Sequence, residues 1–205
     1  GNIRSVEQSI VKIGYRPIII SNPKDIDSCH KLILPGVGNF SKAKHILDKE
    51  GWSRKISNAV LIKRKPILGI CLGMQLLANY GYEGAKDSGK DKTKGLEFIG
   101  GEIKHLKKMG CKERVPHMGW NSVFWDPKLK NNILKGIESG TDFYFVHSFI
   151  FVTNNKSDIL AEFNYSKNFI SIVAKDNIWG TQFHPEKSST AGLKLLKNFM
   201  EIEKC

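Results

Sequence analysis

The chain is 205 residues long, which suits one domain of ordinary size and is too short for two full ones. Hydrophobic residues make up 40% and charged residues 25%, close to the globular average, so an intrinsically disordered chain is excluded. Lysine and arginine outnumber aspartate and glutamate by 32 to 20, a formal net charge of +12, which leaves a nucleic-acid-binding protein or a basic enzyme to be distinguished.

No apolar run reaches the roughly 18–20 residues of a membrane span. No secretory leader is expected, since the sequence carries no apolar leader run ahead of its first charged residues. The cysteines are Cys29, Cys71, Cys111 and Cys205, scattered without a C-x-x-C pair or a histidine at ligand spacing. That pattern argues against a zinc site and against a disulfide framework. A reducing, cytoplasmic setting is expected, with no metal and no cofactor, and with room for one reactive thiol.

In chain order, Ile3, Val6, Ile10, Val11 and Ile13 recur near helical period and predict a helix that Gly14 stops. Residues 17–20 predict a strand, ended by Ser21-Asn22-Pro23. Residues 31–34 predict a second, running into Pro35-Gly36-Val37-Gly38. Helical signals follow at 41–47 and 52–62, and a third buried strand at 66–70 leads directly into Cys71. Residues 72–78 predict a helix, and 81–95 a polar loop rich in Gly, Lys and Asp. Short β-rich segments then dominate, at 96–103, 121–125, 141–146, 159–163, 170–174 and 179–183. A final helix is expected over 191–202, with Leu193, Leu196, Phe199 and Met200 on one face. The alternation in the first half predicts a single α/β domain with a mixed, mostly parallel central sheet flanked by helices. The second half adds antiparallel strands.

Three motifs carry chemistry. Gly69-Ile70-Cys71-Leu72-Gly73 lies between an apolar strand and a helix, in the G-x-nucleophile-x-G pattern. The nucleophile of such an elbow sits on a tight, strained turn where flanking side chains would clash, and a helix start beside it favours thiolate. The competing reading is a buried structural cysteine. His184-Pro185-Glu186 follows a strand, and a thiol needs a base that is itself held by an acceptor. The other histidines, His30, His45, His105, His117 and His147, have no such neighbour in sequence, and His30 and His45 read as solvated surface. The turn at 35–38 exposes backbone N–H groups suited to an anion or an oxyanion. It is not a P-loop, since no Lys-Ser/Thr follows, and no G-x-G-x-x-G is present.

Together these motifs resemble the class I, or triad, glutamine amidotransferases. The stretches 1–6, 34–38, 69–77, 116–121, 144–148 and 180–188 narrow the resemblance to the glutaminase subunits of imidazole glycerol phosphate synthase. The match follows in order over nearly the whole chain. Pro116-His117-Met118-Gly119-Trp120-Asn121 discriminates best, because other triad amidotransferases lack it. The resemblance implies a flavodoxin-like amidotransferase fold. It implies that Cys71 attacks the side-chain amide of glutamine to form a glutamyl thioester, with His184 as acid and base and Glu186 holding the imidazole. It places the oxyanion hole at the N–H of Leu72 and at Gly36, Val37 and Gly38, with a peptide reorientation at Val37. Gln75, Val146, His147 and Ser148 match positions that hold the amino-acid end of the substrate. The implied partner is a (β/α)₈-barrel cyclase subunit, forming a heterodimer and taking ammonia through its interior. His117, Trp120, Tyr144 and Lys187 match positions at that interface, although core packing is an equally available reading of the two aromatics.

Two departures qualify the match. The family begins with an apolar strand and an Asp-Tyr-Gly turn before Gly-Asn, whereas this sequence starts at Gly1-Asn2. One domain over 1–205 lacking the family's first strand is therefore expected, with a gap in its sheet. The loop after the nucleophile helix also differs, and the segments 62–66 and 174–177 resemble paralogues that supply ammonia to a surface-polysaccharide sugar amidotransferase. That acceptor is the alternative. A γ-glutamyl hydrolase or cysteine peptidase shares the elbow and the histidine but not the hexapeptide. The positive charges are spread over 42–44, 63–65, 86–94, 107–108 and the last helix with no nucleic-acid-binding signature, so a solvated surface is expected, with no nucleic-acid and no membrane partner.

Overall fold

A computed structural model describes residues 3–89 and 91–203, so Gly1, Asn2 and Cys205 of the motifs above lie outside the described residues. The first helix, α1 (Ile3–Lys12), buries Val6, Ser9 and Ile10. Strand β1 (Leu32–Gly36) leads to α2 (Phe40–Lys49), which Asn39 caps by accepting the N–H of Lys42 at 3.0 Å. Helix α3 (Trp52–Ser57) starts from Gly51 at φ 81° and continues into a π-helical turn, Asn58–Ile62. Strand β2 (Ile67–Cys71) is buried at every position and passes straight into α4 (Leu72–Leu76).

The short strands β3 (Tyr80–Gly81), β4 (Thr93–Lys94) and β5 (Glu102–His105) precede β6 (His117–Phe124) and β7 (Thr141–His147). After β8 (Phe149–Val152), β9 (Ile159–Asn164), β10 (Asn168–Lys175) and β11 (Ile178–Thr181), the chain ends in α5 (Ser189–Glu201). The main sheet has the order β1-β2-β11-β10-β9-β6-β7, parallel across β1, β2 and β11 and antiparallel between the remaining neighbours. A second sheet, β4-β3-β5-β8, stands beside it.

Helices cover both faces, as a sheet with a continuously buried central strand requires. On one face Val6 and Ile10 of α1 and Leu195, Leu196 and Phe199 of α5 pack with Phe143, Phe145 and Phe163. On the other, Phe40, Ile56, Val60, Met74 and Leu77 pack with Ile67 and Val173.

The structure corrects several element boundaries. Residues 17–20 belong to no ladder, and Ile18 and Ile19 are 78% and 47% exposed. An apolar run becomes a strand only when a neighbour satisfies its backbone. A groove of about 380 Å³, lined in part by Ile3, Val6, Ile10, Ile18, Ile33 and Pro35, lies beside this segment, and β1 is the edge of the described sheet. The strand expected at 96–103 is confined to Glu102–His105. Glu97 at φ 61° and Gly101 at φ 156° break the extended run, and the amides of Leu96 and Phe98 bond instead to the carbonyls of Leu76 and Leu77. Strand β6 begins at His117 rather than 121, and β8 has no counterpart among the predicted elements.

The entry to β2 is pinned by two buried polar side chains. The Lys65 ammonium, on a residue only 7% exposed, donates to the carbonyls of Ile26 (2.9 Å), Asp27 (2.8 Å) and Cys29. Asn177 donates to the carbonyls of Val60 at 3.0 Å and Lys65 at 2.8 Å. Lys65→Met keeps the stem and strands three acceptors, so it is expected to lower the unfolding free energy by about 2–3 kcal/mol, read as a shift in urea midpoint at unchanged slope.

Candidate active site

Cys71 ends β2 at φ 54°, ψ −109°, a conformation costing about 1–3 kcal/mol for a side-chain-bearing residue. The two flanking glycines make it possible. A Cβ on Gly69 would stand 2.7 Å from the backbone of Gly73, and one on Gly73 would stand 1.7 Å from the carbonyl oxygen of Leu34. Helix α4 therefore sits directly on β1. The register pairs Gly36 with Cys71, and a Cβ on Gly36 would meet the Leu72 side chain at 3.1 Å. The turn at 36–38 thus stands over the start of α4, with Val37 52% exposed and Gly38 at φ 100°.

His184 follows β11. Its N–H donates to the carbonyl of Tyr144 at 2.9 Å. The Ser188 hydroxyl donates to the His184 carbonyl at 2.6 Å and accepts from the Tyr144 N–H at 3.0 Å. The His184 backbone is thereby fixed to β7. Its Nδ1 lies 2.8 Å from Glu186 Oε1, with side chains 2% and 1% exposed. Nε2 makes no hydrogen bond of normal geometry, yet Cys71 is close enough to lead the groups that raise the ring's pKa. Burial alone would push His184 down; hydrogen bonding to Cys71 and Glu186, with their negative charge, carries it from 6.5 up to about 9.

The Cys71 sulfur opens onto a cavity of about 280 Å³ whose walls include Val37, Gly38, Leu72, Gln75, Val146, His147 and Ser148. All of the residues expected at the amino-acid end of a substrate are brought together there. Gln75 donates to the Phe149 carbonyl at 3.0 Å and to Gln182 Oε1 at 3.1 Å, and Gln182 in turn lies 3.8 Å from the Cys71 sulfur. Two cavity features were not anticipated from sequence. Glu83 lines it, accepting the N–H of Phe40 at 3.0 Å, and burial raises its carboxyl although that hydrogen bond pulls the other way. Phe149 is the second. A glutamate in a polar loop carries no local signal; the close packing of Gly84 on Asn39 and the amides of Phe40 and Ser41 bring it to the cleft.

Of the four residues expected at a partner face, three form one patch. Trp120 is 55% exposed and meets Tyr144 edge-on at 6.1 Å, and the Lys187 ammonium lies 5.8 Å from the Tyr144 ring centre. Met118 and Phe124, also exposed, extend the outer side of β6. His117 does not join them. It points to the opposite side of β6 and is 3% exposed, because alternate residues of a strand face opposite ways. Among the described residues no group of three His, Cys, Asp or Glu is arranged to hold a metal ion, and no helix is long and apolar enough to cross a membrane.

A raised histidine pKa means that the fold favours the protonated ring. Its stabilisation is fully present below about pH 6.5 and lost as pH rises through about 9. Glu186→Gln removes one of the anions responsible. The loss of stability against the parent protein is expected to be largest near pH 6 and to shrink near pH 10, measured by urea unfolding at both.

The family model for class-I glutamine amidotransferases matches residues 1–202. Imidazole glycerol phosphate synthase subunit HisH 1 of Campylobacter jejuni strain RM1221 is 42% identical over 202 residues, 98% of this chain and 96% of that protein. The HisH subunit of Caldanaerobacter subterraneus subsp. tengcongensis is 43% identical over 205 residues, 100% of this chain and 95% of that one. A solved glutamine amidotransferase structure superposes with a TM-score of 0.74 at 15% identity, covering 98% of this chain and 93% of that chain, a likeness of fold alone. The chain belongs to the class-I glutamine amidotransferase family, among the HisH subunits of imidazole glycerol phosphate synthase.

Proposed function

We propose that the protein hydrolyses glutamine to glutamate and ammonia with Cys71, His184 and Glu186, and hands the ammonia to a (β/α)₈-barrel cyclase subunit in the cytoplasm, as a step of histidine biosynthesis. The carrying observation is the strained Cys71 facing a cavity, with a base raised to about pKa 9 and tied to a buried carboxylate.

The sequence of steps follows from these positions. The Cys71 thiolate attacks the amide carbon of glutamine. The oxyanion that forms is met by the N–H of Leu72 and by the turn at Gly36, Val37 and Gly38, where the glycine after Val37 makes a peptide rotation cheap. One such donor is worth about 3–4 kcal/mol of transition-state stabilisation. The His184 imidazolium gives its proton to the departing nitrogen, the C–N bond breaks, and ammonia leaves a glutamyl thioester. His184, now neutral, takes a proton from water, whose oxygen attacks the thioester; glutamate departs and the sulfur is restored. Glu186 holds the imidazole through Nδ1. Glu83 takes the substrate's α-ammonium, its carboxylate being the acidic group in the wall, while Gln75, Val146, His147 and Ser148 surround the amino-acid end. The exposed patch of Met118, Trp120, Tyr144 and Lys187 has the aromatic and cationic make-up of a docking surface.

The relatives are named as synthase subunits, which supports the cyclase partner. The segments 62–66 and 174–177 favour as second reading a paralogue whose ammonia goes to a surface-polysaccharide sugar amidotransferase. Co-purified barrel partners, each given its own acceptor, distinguish the two by which acceptor gains nitrogen from amide-labelled glutamine.

Cys71→Ala is expected to lower glutamate formation at least about a thousandfold while the far-ultraviolet circular dichroism stays that of the folded parent. Trp120→Ala is expected to weaken binding of the barrel subunit by about 2 kcal/mol while leaving alkylation of Cys71 in the isolated chain unchanged. Titration calorimetry and thiol-labelling rates check the two halves of that expectation.

A further inference from the structure

His117 and His147 stand directly opposite one another on β6 and β7, with Nδ1 of the first 3.1 Å from Nε2 of the second. Each ring has its other nitrogen committed. His147 Nδ1 lies 2.9 Å from the carbonyl oxygen of Phe149, which can only accept, so His147 carries its proton on Nδ1. Its Nε2 is then an acceptor, and His117 must donate from Nδ1. That leaves His117 Nε2 as an acceptor, and it faces the Asn121 amide nitrogen at 3.3 Å. The polarity runs one way, from Asn121 through both imidazoles to the Phe149 carbonyl. At that oxygen it meets the amide of Gln75, which also binds Gln182, whose own amide faces the Cys71 sulfur.

We propose that His117 and His147 form a relay of fixed polarity that positions the Phe149 carbonyl and, through it, the Gln75 and Gln182 amides beside the Cys71 sulfur. His117 lies outside the cavity and is a positioning residue; His147 lines the cavity wall, and in the relay it acts through the Phe149 carbonyl rather than on the reacting carbon. The proposal concerns the glutaminase reaction read above, but the relay's tautomers and its effect on the thiol are measurable without glutamine.

The surroundings suit the part. The His117 ring lies among Phe145, Phe163 and Tyr165, and His147 meets Phe145 and Phe163. The titratable groups facing the pair are Tyr165, with Cys111, Glu113 and Arg114 behind it, His184, and, in the cavity that His147 lines, Cys71 and Glu83. No carboxylate among the described residues hydrogen-bonds to either ring. Burial lowers His117 to about 4 and His147 to about 3, where the hydrogen bond to Phe149 opposes burial and the neighbouring His117 and His184 reinforce it. A proton added to either ring would put two hydrogens between Nδ1 and Nε2, or leave the acceptor of Asn121 filled, and break the chain.

The test combines spectroscopy and labelling. Nitrogen NMR of the histidine-labelled protein is expected to show both rings neutral and protonated on Nδ1 from about pH 8 to about pH 5.5, well below the ordinary titration of histidine. Protonation on Nε2 in either ring, or titration near 6.5, would overturn the proposal. His117→Leu is expected to slow alkylation of Cys71 by iodoacetamide at least about tenfold, whereas His117→Asn, whose amide nitrogen falls where Nδ1 stands, stays within about threefold of the parent. A folded His117→Leu protein labelled at the parental rate would also overturn it. If that variant does not fold, the tautomers of the parent protein decide. A parent protein that shows both tautomers and the labelling difference but does not hydrolyse glutamine would overturn the glutaminase reading and leave the relay standing.

Discussion

The site depends on one close approach, that of Gly73 to the carbonyl of Leu34. With no side chain at 73, the first turn of α4 rests on β1, and β2 can end in the abrupt turn that holds Cys71. The parallel register of β1 and β2 then puts Gly36 opposite Cys71. Cys71 and the turn at 36–38 are thereby placed together by backbone contacts alone. Side-chain interactions finish the arrangement, but they work on a frame already set by the absence of three Cβ atoms, at 36, 69 and 73.

His184 comes from the other end of the main sheet's connectivity. The loop after β11 carries His184 and Glu186, and the ion pair between them lies in a region with almost no water. Two effects oppose one another at the imidazole. Desolvation favours the neutral ring, while the adjacent thiol and carboxylate favour the charged one, and the second wins. A few ångströms away His117 and His147 show the opposite result, because there burial acts with no anion to resist it. A histidine kept charged therefore stands near two kept neutral. What separates them is the identity of the neighbour, not the depth of burial.

Much of this was legible in the sequence where the information is local. The glycines around Cys71 and the two-residue spacing of His184 and Glu186 announce their geometry within a few positions. The strand parity of 117–124 does not, because the turn residues before Asn121 hid the start of β6. With that strand assigned, alternation alone puts His117 inside and Trp120 outside. The pairing of His117 with His147 needs the β6–β7 register, and the arrival of Glu83 at the cavity needs the fit of Gly84 against Asn39. Residues 17–20 failed as a strand for the complementary reason: their apolarity is genuine, but a ladder requires a second backbone. The large positive charge also reads differently in three dimensions. Lys65 is used up by carbonyls, Lys44 faces Asp48 at 2.5 Å, and Lys55 and Lys63 share Asp27, so part of the excess serves internal joints.

Ser188 gives the molecule a mechanical property. Its hydroxyl bonds both to the Tyr144 amide and to the His184 carbonyl, while the His184 amide bonds to the Tyr144 carbonyl. The ring of Tyr144 belongs to the outer patch, and its peptide belongs to the mount of the base. Load applied at the surface is therefore carried to the imidazole across a single stiff joint, with no flexible segment between them to absorb it. Under the proposed glutaminase function, a partner seated on that aromatic would have a handle on the angle of the His184 ring, and a displacement of a fraction of an ångström there would matter for proton transfer.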